Sequence, residues 1–226
     1  MFGKGSLMSS VAAPAIGKRR EDPRDFLPWS TILEFRKGET IYSPESPSTC
    51  LYLIIAGKVK ICRPAEGGRC VIVSIYQPDE FFGESSLLGP PGSEEAVALE
   101  KTKIMMWTAA EIQDRATSRP DLGAALIQIF VQRLEERVGR IASLAMDDIA
   151  HRLAQALLNL AQRFGRETDD GSVQMLPFTH SFLAQYAGTR REQVSRLMTN
   201  FRRFGFVSYS RTSIVLHQKA ITEWMK

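Results

Sequence analysis

Thr179-His180-Ser181-Phe182-Leu183-Ala184-Gln185-Tyr186-Ala187-Gly188-Thr189-Arg190-Arg191-Glu192-Gln193-Val194-Ser195-Arg196-Leu197-Met198-Thr199-Asn200-Phe201-Arg202-Arg203-Phe204 is the stretch on which the reading of this 226-residue chain turns. Thr179 is placed to cap a short helix over Ser181–Ala187, to which Phe182, Leu183 and Tyr186 give apolar contacts. Gly188 stands where that helix must end and the chain turn sharply, a role glycine fills without steric cost. Thr189-Arg190-Arg191-Glu192 reads as a capping box, with Thr at the cap and Glu three residues on. The next helix runs to about Phe204, with Val194, Leu197, Met198, Phe201 and Phe204 on its buried face. Arg191, Glu192, Ser195 and Arg196 fall on another face near its start. This is the pattern of a helix-turn-helix whose second helix offers its first two turns to a DNA major groove. Arg bonds bidentately to guanine, and Glu accepts from the cytosine amino group. Glu192 has a second reading, as a cap for the backbone alone.

Downstream, Phe206-Val207-Ser208-Tyr209, a turn at Ser210-Arg211-Thr212, and Ser213-Ile214-Val215-Leu216 read as a β-hairpin wing. Arg190, Arg202, Arg203 and Arg211, with Thr179 and Thr189 beside the helix starts, are the candidate phosphate contacts. Such contacts give affinity without specificity. The alternative for any one of them is a solvated surface side chain.

Charge points to the same end of the chain. The net charge is +4 and the pI about 9.0. Residues 1–146 hold 18 basic and 18 acidic side chains, residues 147–226 hold 11 and 7, and residues 178–226 hold 8 and 2. The surplus is therefore confined to the helix-turn-helix region, as a DNA-binding head on a neutral body would have it; a basic solvated face is the other reading. A hydrophobic content of 44% and charged content of 24% are those of a globular protein. No apolar run approaches the ~18 residues of a membrane span. Three cysteines, Cys50, Cys62 and Cys70, make no disulfide framework, so a reduced, cytoplasmic setting is expected.

Working toward the N-terminus, Asp147 or Asp148 begins a helix through about Phe164, followed by a polar loop over 165–172. Met146-Asp147-Asp148 reads as a hinge. Before it, Pro120 opens a long helix on which Ile127, Phe130, Leu134, Val138, Ile141 and Ala145 recur at steps of three or four. About 25 residues make roughly 38 Å of helix, long for a small domain to cover alone. The stripe either packs on its own domain or meets its copy in a second subunit; the length favours the dimer. A short helix is expected over Thr108–Thr117. Residues 26–108 carry short β runs, Thr40–Tyr42, Leu51–Ile55, Lys58–Cys62 and Val71–Tyr76, with turn signals at Gly38, Gly57, Gly67-Gly68, Pro78-Asp79 and Gly92. They predict a small sandwich or barrel. Residues 1–25 lack periodicity and read as a flexible leader.

Gly38-Glu39, Leu53-Ile54-Ile55-Ala56-Gly57-Lys58-Val59-Lys60, Phe81-Phe82-Gly83-Glu84-Ser85-Ser86-Leu87-Leu88, Arg133-Leu134, Ile149–Leu158 and Leu183–Leu197, in this order and spacing, resemble the cyclic-AMP receptor protein/fumarate-nitrate regulator (CRP/FNR) family of bacterial transcription factors over about residues 30–220. The resemblance implies an α+β fold: an N-terminal double-stranded β-helix, a cyclic-nucleotide-binding-like β-roll, over 26–118; a dimerisation helix over 119–146; and a C-terminal winged helix-turn-helix over 147–226. It implies a homodimer on double-stranded DNA, with Arg191, Glu192 and Arg196 in base-reading positions and a palindrome of TGTGA-like half-sites. Arg191, Glu192 and Arg196 look like the cyclic-AMP branch, whereas Ser195-Arg196 after Glu192 resembles the fumarate-nitrate branch. Activation through RNA polymerase is implied, and repression by site occlusion stays open.

The effector is where the chain departs from the family. A cyclic-nucleotide pocket there resembles Gly-Glu, for the ribose, followed ten residues later by Arg-Ser/Thr-Ala, for the phosphate. Here Gly83-Glu84 and Ser85 are present, but Glu94 stands at the arginine position and Glu95 follows it. Arg137 and Val138 replace the hydroxyl pair expected to meet the purine. Cyclic-nucleotide control in the usual mode is not expected. An iron–sulfur cluster is not expected either, since the leader has no cysteine. His151, His180 and His217 all lie past residue 146, which excludes a haem-ligating histidine in the roll but not a cysteine ligand, and no metal constellation is seen. The three cysteines read as buried structural thiols. An unidentified small-molecule effector is left open. A regulator with an altered nucleotide pocket and a nucleotide-binding regulatory sensor module are the alternatives. No nucleophile elbow, P-loop or dinucleotide fingerprint supports an enzyme.

Overall fold

The structure, a computed structural model, describes residues 22–65, 69–88, 92–209 and 212–226. Most of the leader (1–21), the Gly67-Gly68 turn and the wing-tip pair Ser210-Arg211 lie outside the described residues.

Eight strands form the N-terminal unit: β1 (Ile32–Phe35), β2 (Thr40–Tyr42), β3 (Cys50–Ala56), β4 (Val59–Ala65), β5 (Arg69–Tyr76), β6 (Phe81–Phe82), β7 (Glu95–Ala98) and β8 (Thr102–Thr108). They make two antiparallel sheets, in the orders β1-β8-β3-β6 and β2-β7-β4-β5. The four expected β runs are β2 to β5. Between the sheets lie Tyr42, Tyr52, Ile54, Val59, Ile61, Tyr76, Phe82, Ala96 and Ile104, all buried. A second cluster, with Leu51, Phe81 and Trp107, joins the first sheet to the helices that follow.

The β4–β5 pairing carries a register shift. Ile61 pairs with Ser74, but its neighbour Cys62 pairs with Ile72, so Val73 has no cross-strand partner. Such a bulge re-aims side chains. Ile61 stays in the roll interior, whereas Cys62 turns outward with Ile72 and Ile75 and joins the hydrophobic cluster of the C-terminal unit.

The end of the leader is fixed, which corrects the expectation of flexibility up to residue 25. Asp22 caps a short 3-10 turn at Pro23–Asp25, Pro23 is buried, and Arg24 joins the carboxylates of Asp22 and Asp79. The guanidinium thus ties the leader to the β5–β6 turn.

Thr108 opens α1 (Ala109–Ser118) with a capping box in which Thr108 and Glu111 satisfy each other's backbone. Pro120 starts α2 (Pro120–Met146), 27 residues long. Asp147 is extended, and Asp148 caps α3 (Ile149–Phe164) by accepting from the His151 amide at 2.8 Å. The chain therefore changes direction at Met146–Asp148, as the sequence suggests.

Leu153, Leu157 and Leu160 of α3 meet Leu183, Val194, Met198, Phe201, Leu216 and Ile221 in the C-terminal core. Around this core lie β9 (Arg166–Glu167), β10 (Val173–Met175), α4 (His180–Ala187), α5 (Arg191–Arg203), β11 (Val207–Tyr209), β12 (Ile214–Leu216) and α6 (Gln218–Trp224). The expected wing hairpin is β11–β12. It is part of a four-stranded sheet, β11-β12-β10-β9, and the segment expected to be a polar loop contributes β9. Asp170 tightens that turn by accepting from Thr168 and Ser172, an Asx-type turn too polar to read as part of a strand pair. No helix among the described residues is long and apolar enough to cross a membrane.

Candidate nucleic-acid interface and sensor pocket

The reading unit is α4, a turn and α5. Thr179 caps α4 by accepting from the Phe182 amide at 3.1 Å. Gly188 is left-handed (φ 65°), and the Thr189 amide reaches back to the Ala184 carbonyl at 2.9 Å, closing α4 in a Schellman-type turn. This corrects the capping-box reading. The turn uses Thr189, so Arg190 becomes the residue before α5, with no side-chain cap bond. Glu192 is thereby released from the backbone role that competed with base reading.

Arg191, Glu192 and Arg196 are exposed on the first two turns of α5, opposite buried Val194, Met198 and Phe201. Phe204, expected on the buried face, is exposed, because α5 ends at Arg203 and the chain turns away at Gly205. The Arg196 guanidinium donates to the Gln193 side chain at 2.6 Å, which holds it along the helix. Ser195 lies 2.9 Å from Nδ1 of His180. Arg190, Arg202 and Arg203 are exposed too; Arg202 stacks on Tyr209 of the wing at 5.5 Å, and Arg203 on Phe204 at 5.3 Å. Arg211 lies outside the described residues.

In the sensor, Gly83 has φ 86°, and a Cβ there would sit 2.7 Å from the Cys50 carbonyl, so only glycine fits. Glu84, Ser85 and Ser86 follow in a 3-10 turn over Glu84–Leu88, and the Ser86 hydroxyl donates back to the Gly83 carbonyl. Glu84 is clamped by two arginines of α2, at 3.2 Å from Arg133 and 2.9 Å from Arg137. Arg133 also bonds the Phe81 carbonyl and lies 4.6 Å above the Tyr76 ring. Glu94 is mostly buried, 3.8 Å from Arg63, whereas Glu95 accepts from Thr40 at 3.2 Å. The roll interior beside them holds a stack of rings: Tyr52–Phe82 at 4.9 Å, Tyr42–Tyr52 at 5.9 Å and Tyr76–Phe82 at 6.0 Å. Burial pushes the Tyr42 phenol far above its ordinary range, and the Glu94 and Glu84 carboxylates push it further. The roll interior is thus packed with the chain's own aromatic rings.

Along α2, Ile127, Val131, Leu134, Val138 and Ile141 are exposed apolar residues at steps of four, three, four and three; Leu144 and Met146 near the helix end are exposed too. Those steps are the spacing of a heptad seam. Phe130 is partly buried and packs against the cluster of Trp107 and Leu122, whereas its neighbour Val131 is exposed. Flanking this stripe, Arg133, Arg137 and Arg140 are four and three residues apart, a helical spacing that the sequence itself carries. Arg140 reaches furthest. It donates to the carbonyl of the bulged Val73 at 2.9 Å and to the Tyr186 carbonyl at the end of α4, with its guanidinium 5.0 Å from the Tyr186 ring. One half-buried side chain thus joins the roll, the long helix and the helix-turn-helix. Arg163 of α3 adds a pair to Glu80 of the β5–β6 turn at 2.5 Å. A cavity of about 1060 Å³ lies at this junction, bordered by Tyr76, Phe81, Arg137, Arg140, Arg163 and Tyr186.

Removing the Arg140 guanidinium leaves two carbonyls without this donor, at about 1–3 kcal/mol each where buried. Arg140→Met should therefore lower the unfolding free energy by at least ~1 kcal/mol in urea denaturation. A change below ~0.5 kcal/mol would mean that the clamp carries no net stability.

A β-roll of eight strands among the described residues, a long helix with an exposed apolar stripe, and a basic winged helix-turn-helix are the parts of a DNA-binding transcription regulator. Residues 32–118 match the cyclic nucleotide-binding domain family, and residues 151–220 the Crp-like helix-turn-helix domain family. A CRP-like cAMP-activated global transcriptional regulator of Mycobacterium tuberculosis is 30% identical over 186 residues, covering 81% of this chain and 83% of that protein. The global nitrogen regulator of Synechococcus elongatus is 29% identical over 194 residues, 84% of each chain. The crystal structure of a CRP/FNR-family transcriptional regulator of Thermus thermophilus superposes with a TM-score of 0.72 at 26% identity, covering 86% of this chain and 98% of that one. The chain belongs to the CRP/FNR family of transcription factors.

Proposed function

We propose that this regulator acts as a homodimer on a palindromic operator with TGTGA-like half-sites, and that cyclic AMP does not control it in the usual mode. Arg191, Glu192 and Arg196, exposed on the first two turns of α5 with the backbone cap relieved of Glu192, carry the reading. The heptad seam on α2 supports the homodimer: paired about a two-fold axis, the two α5 helices would meet successive major grooves about one DNA turn apart. Thr179, Thr189, Arg190, Arg202, Arg203 and Arg211 are the phosphate contacts of this reading, and RNA polymerase is the further partner implied by the family.

The M. tuberculosis relative carries cAMP activation in its name. In this chain Glu94 stands where a phosphate would need a cation, Glu84 is bound to Arg133 and Arg137, and three tyrosines and Phe82 fill the interior. A carboxylate facing a phosphate opposes binding instead of favouring it. The retained Gly83-Glu84 pair supports the other reading, a nucleotide-responsive regulator with an altered pocket. Selection from random double-stranded DNA tests the operator: a two-fold symmetric site is expected, and recovery of no palindrome would count against the dimeric reading. Titration calorimetry with cyclic AMP and cyclic GMP is expected to give no heat of binding; micromolar binding to either would establish the altered-pocket reading.

A further inference from the structure

Ser195 stands in the second turn of α5, and its hydroxyl oxygen is 2.9 Å from Nδ1 of His180, the first residue of α4. The packing of the two helices brings them together, and both are half-buried. The His180 ring also stands edge-on to Tyr209 of the wing, with centroids 6.4 Å apart. The ring is thus held between the recognition helix and the wing.

A serine hydroxyl that rotates freely donates or accepts, so it bonds any base edge and discriminates little. A fixed, unprotonated imidazole nitrogen removes that freedom. Where Nδ1 is bare, Ser195 gives its proton to the ring and turns lone pairs outward. Where Nδ1 carries the proton, Ser195 accepts from the ring and keeps both its own proton and a second lone pair, so only the tautomer with a bare Nδ1 fixes its polarity. We propose that His180 is a specificity-determining residue, which accepts the Ser195 hydroxyl proton at a bare Nδ1 and so leaves only lone pairs toward the base edge. The hydroxyl then only accepts, and so reads the amino-bearing bases of the major groove, adenine and cytosine, and not guanine or thymine. His180 is a positioning residue here, acting on the base through Ser195. The inference rests on the proposed base-reading role of Ser195.

The test is selection from random double-stranded DNA with the full chain, comparing wild type, Ser195→Ala, His180→Phe, His180→Leu and His180→Asn. In the wild type one position per half-site should be restricted to a single base class. Ser195→Ala should relax that position about fivefold, the worth of one hydrogen bond. His180→Phe and His180→Leu should relax the same position by a similar factor and no other, and combining either with Ser195→Ala should add nothing. His180→Asn places an amide near the Nδ1 position and should restore the restriction. Melting curves taken alongside confirm that each variant folds, and two apolar replacements keep the result from hanging on one of them.

Apolar variants that weaken all sequences evenly, or leave the selected site unchanged, overturn the proposal, as does an unrestored Asn variant. Ser195→Ala without effect on any position overturns the base-reading role of Ser195, and this inference with it, while the operator reading stands. A wild type that selects no sequence overturns the operator reading itself.

Discussion

A glutamate in place of Leu134 is expected to leave the protomer folded and to abolish its dimer. Leu134 is 61% exposed in the protomer, and its seam neighbours Val131, Val138 and Ile141 are 51%, 57% and 65% exposed. A charge at such a position meets water in the monomer and costs the protomer's fold little. In a two-fold dimer it meets its own copy inside an apolar seam, where each uncompensated charge costs several kcal/mol. Sedimentation should show the variant as a monomer. Its affinity for a palindrome should fall by roughly 10²–10⁴, the avidity that linking two half-site contacts provides, while its affinity for an isolated half-site stays near wild type. Gln132→Ala, off the seam, should keep both. A Leu134→Glu protein that remains dimeric would place the interface elsewhere and return the α2 stripe to its other reading, an amphipathic face awaiting a different partner.

What could be read in the sequence, and what could not, divides along physical lines. Local rules sufficed where one residue type answers one backbone demand: Thr179 at a cap, Gly188 in a left-handed turn, Pro120 at a helix start. They failed where two demands compete. Thr189 suits a cap by type, but closing α4 takes its amide, and Arg190 is left in the cap position. Phe130 and Val131 both fit an apolar helical stripe. Which of them faces outward is decided by the cluster around Trp107, a tertiary fact that periodicity does not carry. The exposed face of Arg191, Glu192 and Arg196 was legible because charge and amphipathicity separate it from the α5 core. The Val73 bulge and the Arg140 clamp were not, since a bulge is a register difference between two strands and leaves no mark in either alone. The sensor shows the same limit: Glu94 announced the departure from a phosphate site, but the stacking of Tyr42, Tyr52, Tyr76 and Phe82 appears only once four separate strands are brought together.

Arg196 and Arg202 are six residues apart on one helix, yet they should fail differently when removed. Arg196 lies in the second turn of α5, where its guanidinium already points along the helix, held by Gln193. In the proposed base-reading role that bond would be exchanged for two bonds to one guanine, and a side chain already partly ordered would lose less entropy on binding. Arg196→Ala should remove about 1–3 kcal/mol of discrimination at one half-site position, roughly 5- to 150-fold, and leave the other positions as they were. Arg202 lies eleven residues past Arg191, about 17 Å along the axis, and stacks on Tyr209 of the wing. From there it reaches backbone and not the base edges that the first two turns read. Arg202→Ala should weaken every sequence by a similar factor. It should also reduce the dependence of log affinity on log salt by about one unit per phosphate that is no longer neutralised. Salt titrations of both variants on the selected operator and on a scrambled duplex separate the two effects. The scrambled duplex should not distinguish Arg196→Ala from wild type by more than its missing charge, whereas Arg202→Ala should lose as much there as on the operator. Equal behaviour of the two variants would mean that α5 meets the groove along its whole length, and the division of its arginines into base and phosphate contacts would have to be abandoned.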